Sequence, residues 1–262
     1  PSHFETIIKC ASHKKHIFCE KPLSFSENEL KEIISLGEKE NISIQVGLNR
    51  RFDNDFILMK KKIDSGLVGA IQMIHITNHD SNPPKYKFLK SSGGMLLDLC
   101  IHDFDMLNFL TNQKIKEIYV NGGVFIDQRL NDLEDIDNAL ITIELNNGIL
   151  CSIDSSRQTN YGYDQRIEVF GSKGSLLVKN KNENLLVFSG SENTRKSKID
   201  NSFKERYRQS YINQFEHFFD CISSGASPSV GPYNVLLAIK SAIAGNRSIK
   251  KSQPQRVKYE AS

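Results

Sequence analysis

The chain has 262 residues, of which 39% are hydrophobic and 25% charged, enough for one large domain or two ordinary ones. Its 34 basic and 31 acidic residues leave a net charge of +3, which offers no electrostatic footprint for a nucleic acid or a membrane surface. No apolar run approaches the ~20 residues a membrane helix needs. The five cysteines (10, 19, 100, 151 and 221) are odd in number and contain no C-x-x-C, which argues against a disulfide framework or zinc site and for a reducing compartment, the cytoplasm.

In chain order, Phe4, Ile7, Ile8 and Ala11 fall at helical spacing within residues 4–15, and His16 to Cys19 form a short strand. Ser26-Glu27-Asn28-Glu29 reads as a capping box, and Leu30, Ile33, Ile34 and Gly37 follow on one helix face. Ile42 to Leu48 is nearly all apolar, the pattern of a strand buried between helix layers. This βαβ rhythm predicts a parallel sheet of the doubly wound, Rossmann type.

From about residue 115 the pattern changes. Ile136 to Leu145 alternates, Asn146-Asn147-Gly148 supplies a hairpin turn, and Ile149 to Ser155 alternates again. Gln165 to Phe170, Ser175 to Lys179 and Asn184 to Phe188 add strands, residues 189–204 read as an exposed loop, and helices follow over Tyr207 to Ser224 and Tyr233 to Ile249. The predicted fold class is therefore α/β plus α+β. A Rossmann-type remnant over residues 1–50 precedes a domain over 51–262 with a large, open, mainly antiparallel sheet and helices.

Several stretches could carry chemistry. Glu20-Lys21-Pro22 ends the first strand, where parallel sheets open their ligand crevice. Ordinary solvated charges at a strand end fit the same residues. In residues 93–107, a glycine pair precedes a predicted helix on which Asp98 and His102, at i and i+4, share a face. A carboxylate one turn from an imidazole can fix its tautomer, as a general base requires. An acidic helix surface with an incidental histidine has the same spacing. Metal ligation by Asp98, His102, Asp103 and Asp105 is disfavoured, because Asp103 lies off the His102 face. Arg50 and Arg51 suit either an anion or salt bridges between domains, and Tyr161 or Tyr163 suits a polyol hydroxyl or a plain sheet face. Gly171-Ser172-Lys173-Gly174-Ser175 lies between strands and reads as a hairpin turn, not a phosphate loop.

Together these stretches resemble the glucose–fructose oxidoreductase/inositol dehydrogenase/MocA (Gfo/Idh/MocA) family over essentially the whole chain. The resemblance rests on the E-K-P of residues 20–22 and the G-G-x-x-x-D-x-x-x-H of Gly93 to His102. The stretches Asn49–Asp53 and Tyr161–Arg166 look most like the inositol 2-dehydrogenase branch. The resemblance implies NAD-dependent oxidation of a cyclic polyol to a ketone, with NADP left open. It implies Lys21, Asp98 and His102 as the catalytic set, with His102 taking the hydroxyl proton. It also implies cofactor contacts from Glu20, Lys21, Pro22 and Arg51, and substrate contacts from Lys21, Asn78, Asp98, His102 and Tyr161. A homo-oligomer, a tetramer through the large sheet, is implied as well, and another sugar is the alternative substrate. No G-x-G-x-x-G occurs, and the chain opens Pro1-Ser2-His3. The expectation is a fragment lacking about 70–80 residues of a nucleotide-binding domain. Read on its own, such a chain is alternatively a non-catalytic remnant that only assembles.

Overall fold

The computed structural model describes residues 3–259. Helix α1 (His3–Ser12) leads into β1 (Ile17–Glu20), α2 (Glu27–Glu40) and β2 (Ile44–Gly47). β1 and β2 pair in parallel, from Ile17 opposite Ile44 to Glu20 opposite Gly47. The helical spacing of α2 turns Leu30 and Ile33 inward, and both are fully buried. Each such side chain contributes roughly 1.5–3 kcal/mol. The expected capping box is only half formed. Ser26 Oγ accepts from the Glu29 amide at 3.4 Å, but the Glu29 carboxylate takes the Ser24 hydroxyl instead.

A single turn over Asn49–Phe52 precedes α3 (Asn54–Asp64) and β3 (Ile71–His79). Three helices follow: α4 (Tyr86–Leu89), α5 (Met95–Asp98) and α6 (Ile101–Thr111). Then come β4 (Ile115–Gly123), β5 (Asn138–Leu145), β6 (Leu150–Ser156), β7 (Asp164–Gly171) and β8 (Gly174–Val178). A hairpin of β9 (Val187–Ser189) and β10 (Thr194–Lys196) precedes α7 (Phe203–Arg206), α8 (Arg208–Ser224), α9 (Pro232–Lys251) and β11 (Gln255–Arg256).

The large sheet has seven strands in the order β11-β4-β5-β6-β3-β7-β8. It is antiparallel except between β3 and β6. β3 has no counterpart in the sequence reading, because its inward face carries Ile74, Ile76 and then the buried amide of Asn78. A polar residue at an inward position breaks the alternation on which strand recognition depends. The sequence also predicts a sheet strand over residues 184–188. Instead, β9 pairs only with β10, in an exposed hairpin apart from the large sheet.

Helix α9 packs against α2, α6 and β4, with Ala238, Ile239, Ala242 and Ala244 buried. At Gly245 an added Cβ would come within 2.7 Å of Leu96 Cδ1, so α5 seats directly on the α9 backbone. Buried residues from both sides of the expected boundary near residue 50 join one apolar cluster. The Val46 amide crosses it to the Val230 carbonyl at 3.3 Å.

Candidate active site

A cavity of about 590 Å³ opens beside the carboxyl end of β1, between α5, α6 and the start of α8. Lys21, Asp80, Asp98, His102, Tyr163 and Tyr207 are among its walls. Lys21 follows β1 directly, at a cis peptide to Pro22. Its Nζ donates to the Asp98 carbonyl at 2.5 Å and to Asp98 Oδ1 at 3.1 Å.

The single helix predicted after the Gly93-Gly94 pair is two. The Leu99 and Cys100 amides both turn to the Met95 carbonyl, at 2.8 and 3.1 Å, which ends α5 before α6 starts from the Cys100 carbonyl. Asp98 is therefore not the partner of His102 on one helix face. Two cations hold it instead: Lys21 on Oδ1 and Arg157 Nη1 on Oδ2, the latter at 3.1 Å. His102 Nδ1 is buried without a hydrogen-bond partner. Burial, and then the charges of Lys21 and Arg50, hold the His102 imidazole well below its ordinary range. It is neutral at pH 7, as a proton acceptor must be.

The sequence reading gives Arg157 no role and Asp80 none in catalysis. Burial pushes the Asp80 carboxyl up to about 6, a shift that Arg157 opposes and Asp98 adds to. Neither residue stands in a motif with Lys21. Asp80 reaches the cavity because it follows β3, and Arg157 meets Asp98 because it follows β6, the parallel neighbour of β3. Of Tyr161 and Tyr163, it is Tyr163 that lines the cavity. Tyr161, expected at the substrate, is half exposed and donates to Asp164 Oδ2 at 2.9 Å.

Other expected site residues are committed elsewhere. Arg51, expected at the cofactor, makes a paired contact with Asp105 on α6, Nε to Oδ2 at 2.8 Å and Nη2 to Oδ1 at 2.6 Å. Arg50 lines the cavity but donates to Asp103 Oδ1 at 2.6 Å, so both arginines tie the Asn49–Phe52 turn to α6. Asn78, expected at the substrate, is fully buried, giving Nδ2 to Asp103 Oδ2 and accepting from Gln165 Nε2. Each of these groups is satisfied within the fold, and burial makes that obligatory. Glu20 accepts from Gln214 Nε2 at 3.2 Å across the end of β2, and the Pro22 carbonyl meets His3 Nδ1 at 2.7 Å. The candidate metal ligands go to separate cations: Asp98 to Lys21 and Arg157, Asp103 to Arg50, and Asp105 to Arg51.

A second depression, of about 630 Å³, lies on the open face of the large sheet and is lined by Met73, Tyr119, Leu150 and Phe170. Its walls carry His75, hydrogen-bonded to Ser152 at 2.6 Å, and three glutamates spread over the sheet face, whereas the Lys21 cavity sets a cation, carboxylates and a neutral imidazole around one space. The cavity residues fit the nicotinamide end of a dinucleotide. A parallel β1–α2–β2 unit delivers Lys21 at its carboxyl end, and the neutral His102 imidazole lines the same space.

Residues 56–177 match the C-terminal domain of the GFO/IDH/MocA family, and residues 1–48 match an oxidoreductase family with an NAD-binding Rossmann fold. The chain is 36% identical over 252 residues to the myo-inositol 2-dehydrogenase of Thermotoga maritima, covering 96% of this chain and 75% of that protein. It is 30% identical to the scyllo-inositol 2-dehydrogenase (NAD(+)) of Bacillus subtilis, over 97% of this chain and 74% of the relative. A crystal structure of a myo-inositol dehydrogenase from Corynebacterium glutamicum superposes with a TM-score of 0.92 at 27% identity, covering 98% of this chain and 78% of that one.

Proposed function

The chain belongs to the Gfo/Idh/MocA family of oxidoreductases, and from that premise we propose that it oxidises a cyclic polyol of the inositol class to its ketone with NAD. The observation that carries this reading is the meeting, in one cavity, of a neutral His102 with the Lys21–Asp98 pair. The names of its relatives set the substrate class.

NAD, when bound, supplies the acceptor for the hydride that leaves the carbinol carbon. His102 takes the hydroxyl proton. Lys21 has three donors, of which Asp98 occupies two. The third is available to the reacting oxygen, where the ammonium stabilises the developing alkoxide. Asp98 fixes Lys21 and offers its remaining lone pairs to a neighbouring hydroxyl. Tyr163 and Asp80 line the same space and bound the polyol.

The same reading places assembly on the open sheet face, where Met73, Leu140 and Leu150 are at least half exposed. Five free thiols support a cytoplasmic setting. Among the described residues, no helix is long and apolar enough to cross a membrane.

The test is NADH formation from myo- and scyllo-inositol, with NAD and with NADP. Turnover with NAD is expected, falling by roughly 10²–10⁴-fold in Lys21→Met and His102→Asn. Undiminished turnover in either variant overturns the assignment.

A further inference from the structure

Arg157 is wholly buried, just beyond the end of β6, and its guanidinium stands between two carboxylates. Nη1 donates to Asp98 Oδ2 at 3.1 Å, and Nη2 lies 3.9 Å from Asp135 Oδ2. Asp135 in turn holds the start of α5, its Oδ1 accepting from the Met95 amide at 2.8 Å. Gly94 precedes that amide with φ +89°, and an added Cβ there would come 3.0 Å from Asp135 Oδ1. The two ends of the four-residue α5 are thus gripped by one buried ion cluster, Asp135 at its first residue and Arg157 at its last.

So short a helix cannot hold its own geometry, since one turn is far below the length at which a helix is stable by itself. The position of Asp98, and through it of Lys21 Nζ, must come from outside α5. A buried guanidinium is costly unless carboxylates balance it. Nε and Nη2 of Arg157, and Oδ2 of Asp135, have no hydrogen-bond partner. Packing and hydrogen bonding alone thus leave this cation poorly satisfied, and what it does accomplish is to bridge Asp135 and Asp98. Lys21 and Arg157 occupy different oxygens of Asp98, so the carboxylate cannot rotate without giving up one of them. Nor can it turn to His102, whose Nδ1 stays unpartnered.

We propose that Arg157 is a positioning residue for the reaction, which holds α5 and the Asp98 carboxylate so that Lys21 stands fixed beside a free His102. This rests on the function proposed above. It assigns Arg157 no contact with substrate or cofactor. A bridge between two separated carboxylates needs the fork of a guanidinium, because the donors of a lysine all sit on one nitrogen.

The experiment compares wild type with Arg157→Met, Arg157→Lys and Lys21→Met, by steady-state kinetics on inositol with NAD and by crystal structures of the variants. In Arg157→Met, kcat is expected to fall about 10–100-fold, as for loss of an outer-shell partner, with KM changed less than about threefold. The Lys21 Nζ to Asp98 Oδ1 contact, 3.1 Å here, is expected to open. Arg157→Lys is expected to fall between, losing about three- to tenfold in kcat at an unchanged melting temperature. A folded Arg157→Met with wild-type kcat and an intact contact overturns the proposal. If Arg157→Met does not fold, Arg157→Lys decides: the loss supports the bridge and wild-type kcat overturns it. If wild type and Lys21→Met turn over alike, or neither turns over, the proposed function falls by itself. The Lys21–Asp98 contact in the Arg157 variants then decides the positioning role.

Discussion

Removing Asp105 distinguishes a structural role of Arg51 from a cofactor role. In Asp105→Ala the Arg51 guanidinium, 8% exposed in its side chain, loses both of its carboxylate bonds. It keeps only the Phe109 ring, 5.3 Å from its carbon centre. Stranding a buried charge in this way costs about 3–5 kcal/mol. That is a large part of the ~5–15 kcal/mol that holds a domain folded. With a urea m-value of about 2.5 kcal/mol/M, the midpoint falls by about 1.2–2 M. Arg51→Ala strands Asp105 and should cost a similar amount. The double variant Arg51→Met/Asp105→Leu refills the volume without a charge and should recover most of the loss. The assay is reversible urea unfolding followed by circular dichroism, with NAD titrated into each folded variant. Single variants within about 1 kcal/mol of wild type, or losses that simply add in the double variant, would refute the reasoning. So would a double variant of native stability that binds NAD much more weakly, because Arg51 would then be serving the cofactor.

Three further outcomes are expected. His102 has a folded-state pKa below its unfolded value of about 6.5, so the unfolded chain binds the extra proton as pH falls. Its contribution is constant above about pH 6.5 and lost below it, at up to about 1.4 kcal/mol per pH unit until the folded pKa is reached. The stability gap between wild type and His102→Asn, measured by urea unfolding at pH 5 to 8, should therefore move against wild type only below that pH, and a gap flat across the range would refute it. Gly94→Ala forces a side chain into φ +89° and toward Asp135, which should cost about 2 kcal/mol and lower Tm by about 4–8 °C in a calorimetric scan. Leu150→Lys, on the open sheet face, should leave unfolding nearly unchanged but shift the sedimentation coefficient toward smaller species, and an unshifted coefficient would remove that face from assembly.

The local devices of this chain were legible as sequence. The βαβ rhythm, the Ser26 cap, the Asn146–Gly148 turn and the alternation of β5 to β7 each depend on neighbours a few residues apart. Asp98 and His102 stood out by their spacing and Lys21 by its place at a strand end, the family resemblance joined them into one set, and the fold gathers them at one cavity. Their relations to one another were a different matter. The i,i+4 spacing of Asp98 and His102 implies a pair, but α5 stops between them, and cations from β1 and the end of β6 compete for the carboxylate.

The same physical reason covers Arg51, Asn78 and Tyr161, each suited by type to a ligand and each taken by a partner within the fold. For Arg51 and Asn78 that partner is an acid on α6, more than twenty residues away in the chain. Burying a charge or an amide demands a partner, and the sequence does not show which long-range neighbour will supply it. Asp80 and Arg157 were invisible for the converse reason. Each lies in no motif, and the parallel pairing of β3 with β6 sets Asp80 at the cavity and Arg157 against Asp98. The sequence by itself determined which residues can do chemistry and which local elements carry them. The tertiary structure alone decided which charges meet, because ion pairing and burial act across distances that have no period in the chain.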